Sequence, residues 1–341
     1  MDKIRLGRTN LMVSRSSFGA LPIQRVTYDE ARKLLLTAYE NGVNFFDTAR
    51  MYSDSEEKIG RALGSVRPNI VIATKTHAPD GKTFDEQLAA SQKNLKTDYI
   101  DIYQIHHPKK MPEPGDGSGL YEALLGAREK GRIRFIGISS HRQDVSTAAL
   151  ETGLYDTLQY PLNCLSSDED VRICQLAKQL NVGFIAMKAM SGGLLLNARA
   201  AFAYLRQFDH VVPIWGVQRE SELAEIMDLE KNPPEMDDDI RGTIEADRRE
   251  LAGNFCRACG YCLPCPAQIP IPMAARMGLL LRRMPWQQFR SEEWQQNMSR
   301  IENCEECGHC REHCPYGLDT PKLLRQMLKT YREFLKNSKR K

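Results

Sequence analysis

Eight of the ten cysteines fall in two short runs, and these carry the strongest chemical signal in the chain. Residues 256–266 read CRACGYCLPCP, which sets Cys256, Cys259, Cys262 and Cys265 three residues apart with Pro266 behind them. Residues 304–315 read CEECGHCREHCP, which sets Cys304, Cys307, Cys310 and Cys314 ahead of Pro315. Thiolates at such spacing converge on one centre, and sets of four suit a [4Fe–4S] cube or a zinc ion. Zinc ribbons use two separated C-x-x-C pairs, whereas four cysteines in one run closed by proline is iron–sulfur spacing. Two [4Fe–4S] clusters are therefore expected, with zinc as the alternative. The opening MDKIRLGRTN lacks the apolar stretch of an export signal, so a cytoplasmic setting is expected and disulfides are the less favoured use of these thiols. Cys164 and Cys174, outside the runs, read as buried thiols.

A second set of reactive side chains is scattered along residues 16–217. Short apolar runs recur there at Ser16–Leu21, Val43–Ala49, Asn69–Thr76, Tyr99–His107, Arg134–Ser140, Thr157–Asn163, Gly183–Ala189 and Val211–Val217. They lack strict alternation, as strands buried on both faces of a parallel sheet do. Polar groups sit at or just beyond their ends: Asp47 and Tyr52, Lys75 and His77, His106 and His107, Ser139, Ser140 and His141, Gln159 and Asn163, and Lys188. A carboxylate, an ammonium, a phenol and an imidazole at one rim make a proton-transfer site, in which an ammonium beside the phenol lowers its pKa. Paired loop-mouth polars are the plain alternative.

The elements that must position these groups alternate. Helical periodicity follows each strand, beginning with YDEARKLLLTAYENG, where Ala31, Leu34, Leu35, Ala38 and Tyr39 share a face and Asn41-Gly42 marks the stop. Further helices are expected at Asp54–Leu63, Phe84–Leu95, Leu120–Lys130, Asp144–Thr152, Glu169–Leu180, Leu195–Phe208 and Glu220–Leu229. Eight strand–helix units in alternation predict a (β/α)8 TIM barrel over residues 1–231, whose chemistry lies at the C-terminal strand ends. A doubly wound open sheet is the runner-up, and no G-x-G-x-x-G turn supports it.

The 341 residues, 42% of them hydrophobic, are enough for roughly two domains and a sizeable core. Lys plus Arg number 47 against 44 Asp plus Glu, a near balance that gives no case for a nucleic-acid or membrane-surface binder. No apolar run approaches the roughly 18 residues of a membrane span. The charge is divided: residues 1–253 carry a net −4 and residues 254–341 a net +7. Residues 232–253, with NPPEMDDD at their start, read as a linker or strap, and 321–341 as a C-terminal helix with a basic tail. In that helix Thr320 is the expected cap, and Leu324, Leu328, Tyr331 and Leu335 form a stripe expected to pack onto the barrel. MAARMGLLLRRM, between the cysteine runs, is expected to be helical. The tail KNSKRK could draw an acidic redox partner, against a plainly solvated end.

Taken together, GVNFFDTARMY, VIATKT, YIDIYQIHHP and FIGISS resemble the signature blocks of the aldo-keto reductases, and LGRTNLMVSRSSFGA resembles that family's opening hairpin and strand. The resemblance spans roughly residues 4–230. It implies a catalytic tetrad of Asp47, Tyr52, Lys75 and His106, acting on a small carbonyl or alcohol substrate with a nicotinamide. It further implies that Tyr52 gives the proton, that Lys75 paired with Asp47 sets its pKa, and that His106 orients the carbonyl. Ser139, Ser140 and Gln159 would meet the carboxamide, with Met187 and Lys188 beside the ring. His107 stands where the family commonly has tryptophan. The block IWGVQRESELAE places Gly216, Gln218, Arg219 and Glu222 at the adenosine end. NADP(H) is the family's usual cofactor, while the acidic Glu222 leaves NAD(H) as the alternative.

The two cysteine runs resemble a two-cluster ferredoxin module, which makes residues 254–320 a small α-rich iron–sulfur domain. In such modules the fourth thiolate of each cluster comes from the other run. That implies Cys256, Cys259 and Cys262 with Cys314, and Cys304, Cys307 and Cys310 with Cys265. The clusters would carry electrons or serve structure. Two other readings stay open: an electron-transfer or interaction subunit whose barrel no longer turns over, and a zinc-stapled sugar-binding barrel.

Overall fold

The computed structural model describes residues 1–251 and 255–338. Eight strands close a parallel barrel: β3 (Ser17–Gly19), β4 (Phe45–Asp47), β5 (Val71–Thr76), β6 (Ile100–His106), β7 (Ile133–Ser139), β8 (Thr157–Pro161), β9 (Gly183–Met187) and β10 (Val211–Gly216). Each neighbours the next in sequence, and β10 closes on β3. The open-sheet alternative is thereby excluded. Eight helices follow the strands: α1 (Tyr28–Glu40), α2 (Ser55–Leu63), α3 (Gly81–Leu95), α4 (Leu120–Glu129), α5 (Gln143–Glu151), α6 (Asp168–Gln179), α7 (Ala198–Arg206) and α8 (Glu220–Lys231).

Local chemistry sets the helix ends. Thr27 and Glu30 form a capping box at α1, with Thr27 N–H donating to Glu30 Oε2 at 2.7 Å. Ala31, Leu34, Leu35 and Ala38 then face the core. Helix α3 starts three residues before the expected Phe84, because Asp80 accepts from Thr83 N–H at 2.8 Å. Helix α7 starts three residues after the expected Leu195, because Asn197 Oδ1 accepts from Ala200 N–H at 2.9 Å.

A hairpin, β1 (Lys3–Arg5) and β2 (Met12–Ser14), precedes the barrel. Its apolar residues Leu6, Leu11 and Val13 join Phe45, Val71, Ala73, Ile102, Ile185, Val212 and Ile214 in one cluster, so the hairpin caps the barrel interior. Fully burying a side chain of this size contributes about 1.5–3 kcal/mol. The fit is tight where the hairpin meets β9. Gly7 has φ +50, and a Cβ there would lie 2.3 Å from Gly183 N. Gly7→Ala is therefore expected to destabilise the fold by about 1–3 kcal/mol, read as a lower chemical-denaturation midpoint; an unchanged midpoint would contradict this packing.

The chain divides into two compact units. One comprises Met1–Ala189 and Asn197–Ile244, and the other Met190–Leu196 and Glu245 onward. Segment 232–253, read from sequence as a linker, carries helix α9 (Asp238–Glu250), and Ala252 and Gly253 lie outside the described residues. The second unit holds α10 (Ile271–Ala274), α11 (Met277–Arg283), α12 (Glu292–Ser299), α13 (His309–Glu312) and α14 (Thr320–Ser338). The helix expected over 273–284 is thus split in two at Ala275–Arg276. In α14, Leu324, Leu328 and Tyr331 are buried and the helix packs on α10, α11, α12 and α13 of its own unit. The side chain at its start is Asp319, one residue before the expected Thr320: Asp319 Oδ1 accepts from Lys322 N–H at 3.4 Å. The end of the basic tail, Lys339–Lys341, lies outside the described residues. Among the described residues no helix is long and apolar enough to cross a membrane.

Candidate active site and cysteine cavity

Barrel register brings the strand-end side chains together. Lys75 of β5 lies opposite Gln104 of β6, His106 opposite Ser139 of β7, and Ser139 opposite Gln159 of β8. Lys75 Nζ donates to both oxygens of Asp47 at 2.7 Å and to the Thr48 carbonyl at 2.6 Å. Asp47 is 2% exposed and Lys75 fully buried. Burial draws each toward its neutral form, and their two-oxygen contact opposes this. Gln104 Nε2 donates to Gln159 Oε1 at 2.8 Å and reaches Asp47 Oδ1 at 3.5 Å. Sequence reasoning missed Gln104. The signal was there: Gln104 and His106 are two apart on a strand, so they share its face.

Tyr52 sits half-buried in the turn after β4, with its N–H donating to the Ala49 carbonyl at 2.9 Å. Its ring meets His106 edge-on, centroids 5.9 Å apart, and Lys75 Nζ lies 5.4 Å from the ring centre. Burial, then the Asp47 charge, push the phenol pKa up. This differs from the expected lowering by Lys75. The physical reason is that the ammonium is bound to Asp47, so its charge reaches the phenol largely cancelled. The result is a phenol that keeps its proton across neutral pH.

Four imidazoles line up beside it. Ring centroids are 4.2 Å apart for His77–His106, 4.0 Å for His106–His107 and 5.1 Å for His107–His141. All four pKa values are lowered, first by burial, then by neighbouring imidazoles or by Lys75 and Lys188. The unfolded histidines titrate near about 6.5, above the folded values, so the unfolded chain binds more protons below that pH. The stability these four contribute is complete above about pH 6.5 and is lost as pH falls through their folded pKa values. The denaturation midpoint is expected to drop between about pH 7.5 and 5.5, and His141→Gln to make that dependence shallower; equal slopes would contradict the assignment.

The residues expected at a cofactor are less uniform. Ser139 Oγ is buried and has no hydrogen-bond partner among the described residues. Gln159 is buried and bonded to Gln104. Ser140 Oγ is engaged locally, accepting from Arg142 N–H at 3.0 Å. Met187 closes β9, and Lys188 follows with φ +61 and its carbonyl accepting from Asn163 Nδ2 at 2.9 Å. Gly216 ends β10 and is exposed. Glu222 accepts from the backbone of Gln218 at 2.9 Å and of Arg219 at 3.1 Å, and pairs with the Arg219 side chain at 3.3 Å. These two opposite charges thus hold one another at the start of α8.

In the second unit, Cys262, Cys265, Cys304, Cys307 and Cys310 line one cavity with Pro266, Ala267, Ile269, Ile271 and Leu324. Burial, then the neighbouring cysteines, raise the thiol pKa of Cys310 and push that of Cys262 up to about 12. The cysteines acting on Cys310 are Cys304, Cys307 and Cys265, and those on Cys262 are Cys256, Cys259 and Cys310. No disulfide forms among the described cysteines, and Cys164 and Cys174 are buried. Among the described residues no three His, Cys, Asp or Glu side chains gather as a single-ion site.

Comparison with known proteins adds six findings. Residues 16–228 match the aldo/keto reductase family model, and residues 255–319 match the model of a 4Fe-4S dicluster domain. The uncharacterized oxidoreductase YrpG of Bacillus subtilis is 29% identical over 226 residues, covering 57% of this chain and 68% of YrpG. L-galactose dehydrogenase of Arabidopsis thaliana is 30% identical over 217 residues, again 57% of this chain and 68% of that protein. Among solved structures, the aldo-keto reductase AKR11C1 from Bacillus halodurans, in its holo form, superposes with a TM-score of 0.63 at 23% identity, over 72% of this chain and 96% of its own. An aldo-keto reductase from Klebsiella pneumoniae in complex with NADPH gives 0.63 at 17%, over 72% and 94%.

Proposed function

The chain belongs to the aldo/keto reductase family and carries a C-terminal 4Fe-4S dicluster domain, and from there we propose that it is a nicotinamide-dependent oxidoreductase interconverting a carbonyl and an alcohol. The observation that carries this reading is the buried Lys75–Asp47 pair set beneath Tyr52, with His106 at the edge of the phenol ring.

A reduced nicotinamide, when bound, supplies a hydride to the carbonyl carbon. Tyr52 gives its Oη proton to the carbonyl oxygen, and in the reverse direction takes it back. Burial, then the Asp47 charge, raise its pKa, so the phenol holds its proton at neutral pH, the form from which a donor must start. His106, neutral at working pH, orients the carbonyl by a hydrogen bond. Ser139 and Gln159 would hold the carboxamide, and the unpartnered Ser139 Oγ fits such a ligand. Ser140 would lie beside the same carboxamide and Met187 and Lys188 beside the ring, while Gly216, Gln218, Arg219 and Glu222 would meet the adenosine end. The Klebsiella structure holds NADPH, so NADP(H) is the proposed cofactor and NAD(H) the second arm of the test.

The two clusters are assigned to Cys256, Cys259, Cys262 and Cys314, and to Cys304, Cys307, Cys310 and Cys265. These last four line one cavity together with Cys262, and Cys304, Cys307 and Cys265 are the cysteines close enough to act on Cys310, which supports the second set. Such clusters hold single electrons, and a redox partner protein in the cytoplasm is proposed as their donor or acceptor. The test is anoxic purification followed by titration with NADPH and with NADH, read by nicotinamide fluorescence, then turnover of a benzaldehyde panel. Binding with turnover is expected. Binding without turnover of any carbonyl favours an electron-transfer subunit, and no binding overturns the reading.

A further inference from the structure

His309 stands in the wall of the cavity lined by Cys262, Cys265, Cys304, Cys307 and Cys310. Its ring is well held. It stacks on His313 with centroids 4.0 Å apart and planes 26° from parallel, and His313 Nδ1 lies 2.8 Å from the His309 carbonyl. Yet His309 Nε2 is buried and has no hydrogen-bond partner among the described residues. A buried polar group left unpaired is destabilising, so such groups in native proteins point to a partner. The apolar walls Pro266, Ala267, Ile269, Ile271 and Leu324 offer it no side-chain acceptor. Of the two carboxylates in the wall, Glu306 is paired with Arg325 and Glu305 is exposed to solvent, away from the buried nitrogen. Sulfur is the acceptor this cavity brings together.

We propose that His309 donates its Nε2 proton to a sulfur of the cluster held by Cys265, Cys304, Cys307 and Cys310, and so raises the reduction potential of that cluster alone. This rests on the assignment of those four cysteines to one cluster. An N–H pointing at a thiolate or sulfide draws electron density from it. The reduced cluster carries one more negative charge and is stabilised more than the oxidised one. In the first run the corresponding place, immediately before Cys262, is held by Tyr261. The histidine is therefore a device of one centre, and it biases an electron shared between the two toward the second run.

The experiment is a potentiometric titration of the anoxically purified full chain, followed by electron paramagnetic resonance, for wild type, His309→Phe and His309→Gln. His309→Phe keeps an aromatic ring for His313 but no donor, and His309→Gln keeps a donor but no ring. Expected is full iron and sulfide content, one of two midpoint potentials shifted negative in His309→Phe and the other unmoved, and partial return in His309→Gln. A packing role gives the opposite order, with glutamine the worse variant, and overturns the proposal; so do two unmoved potentials in His309→Phe. If His309→Phe loses its cluster, pulsed resonance on 15N-histidine-labelled His313→Phe protein decides: a histidine nitrogen coupled to the reduced cluster is expected, and its absence overturns the proposal. Cys304→Ala separates the two layers. If it leaves the shifted signal in place, the ligand assignment fails and the proposal with it. If it removes that signal while His309→Phe leaves the potential alone, only the role of His309 fails.

Discussion

Tyr52→Phe is expected to lower the rate of carbonyl reduction by roughly 10²–10⁴-fold, the range a positioned general acid contributes, and to leave nicotinamide binding unchanged. The substitution removes one oxygen and keeps the ring that His106 and Lys75 face. The Lys75–Asp47 contact does not depend on it, since both Asp47 oxygens and the Thr48 carbonyl already hold the ammonium. Loss of rate with retained fluorescence on NADPH addition would therefore isolate the proton. Turnover at the wild-type rate would remove Tyr52 from the mechanism. Loss of binding as well would show that the phenol serves the nicotinamide rather than the carbonyl.

Cys310→Ala carries the second large effect: loss of about half of the cluster iron, as one of two [4Fe–4S] centres fails to assemble, and a lower unfolding temperature for the second unit. Cys310 is buried at the cavity with Cys304, Cys307 and Cys265 around it, and both burial and these neighbours hold its thiol protonated. Cluster binding must displace those protons, so assembly and folding are coupled there. The unit also has a core of its own in Met277, Leu280, Phe289, Met298, Leu324 and Tyr331, so weakening rather than collapse is expected. Iron analysis with a thermal melt reads both effects. Full iron content would strike Cys310 from the ligand set.

The barrel was legible because its strands are buried on both faces and so read as unbroken apolar runs, with turn chemistry between them. Polar residues breaking those runs at one end were the visible trace of the site. What stayed hidden depended on contacts between distant residues. Gln104 lies inside an apolar strand, and only the register against Lys75 shows that it ties Asp47 to Gln159. The upward shift at Tyr52 is hidden from the sequence for a similar reason. Proximity of a lysine was readable in the block order, but the capture of its charge by Asp47 was not. The grouping of Met190–Leu196 with the second unit has no local signature, since it is set by neighbours some fifty residues or more away. The cysteine runs were the reverse case. There, spacing along the chain is itself the geometry.

Lys75 has one further implication. An ammonium owns three protons, and here three oxygens within 2.7 Å have claimed them. Such a group is a fixture and not a courier. If the phenol gives up its hydrogen as proposed, the replacement would have to arrive by way of solvent or the adjoining imidazole, and the speed of that resupply would set how soon a second catalytic cycle can begin.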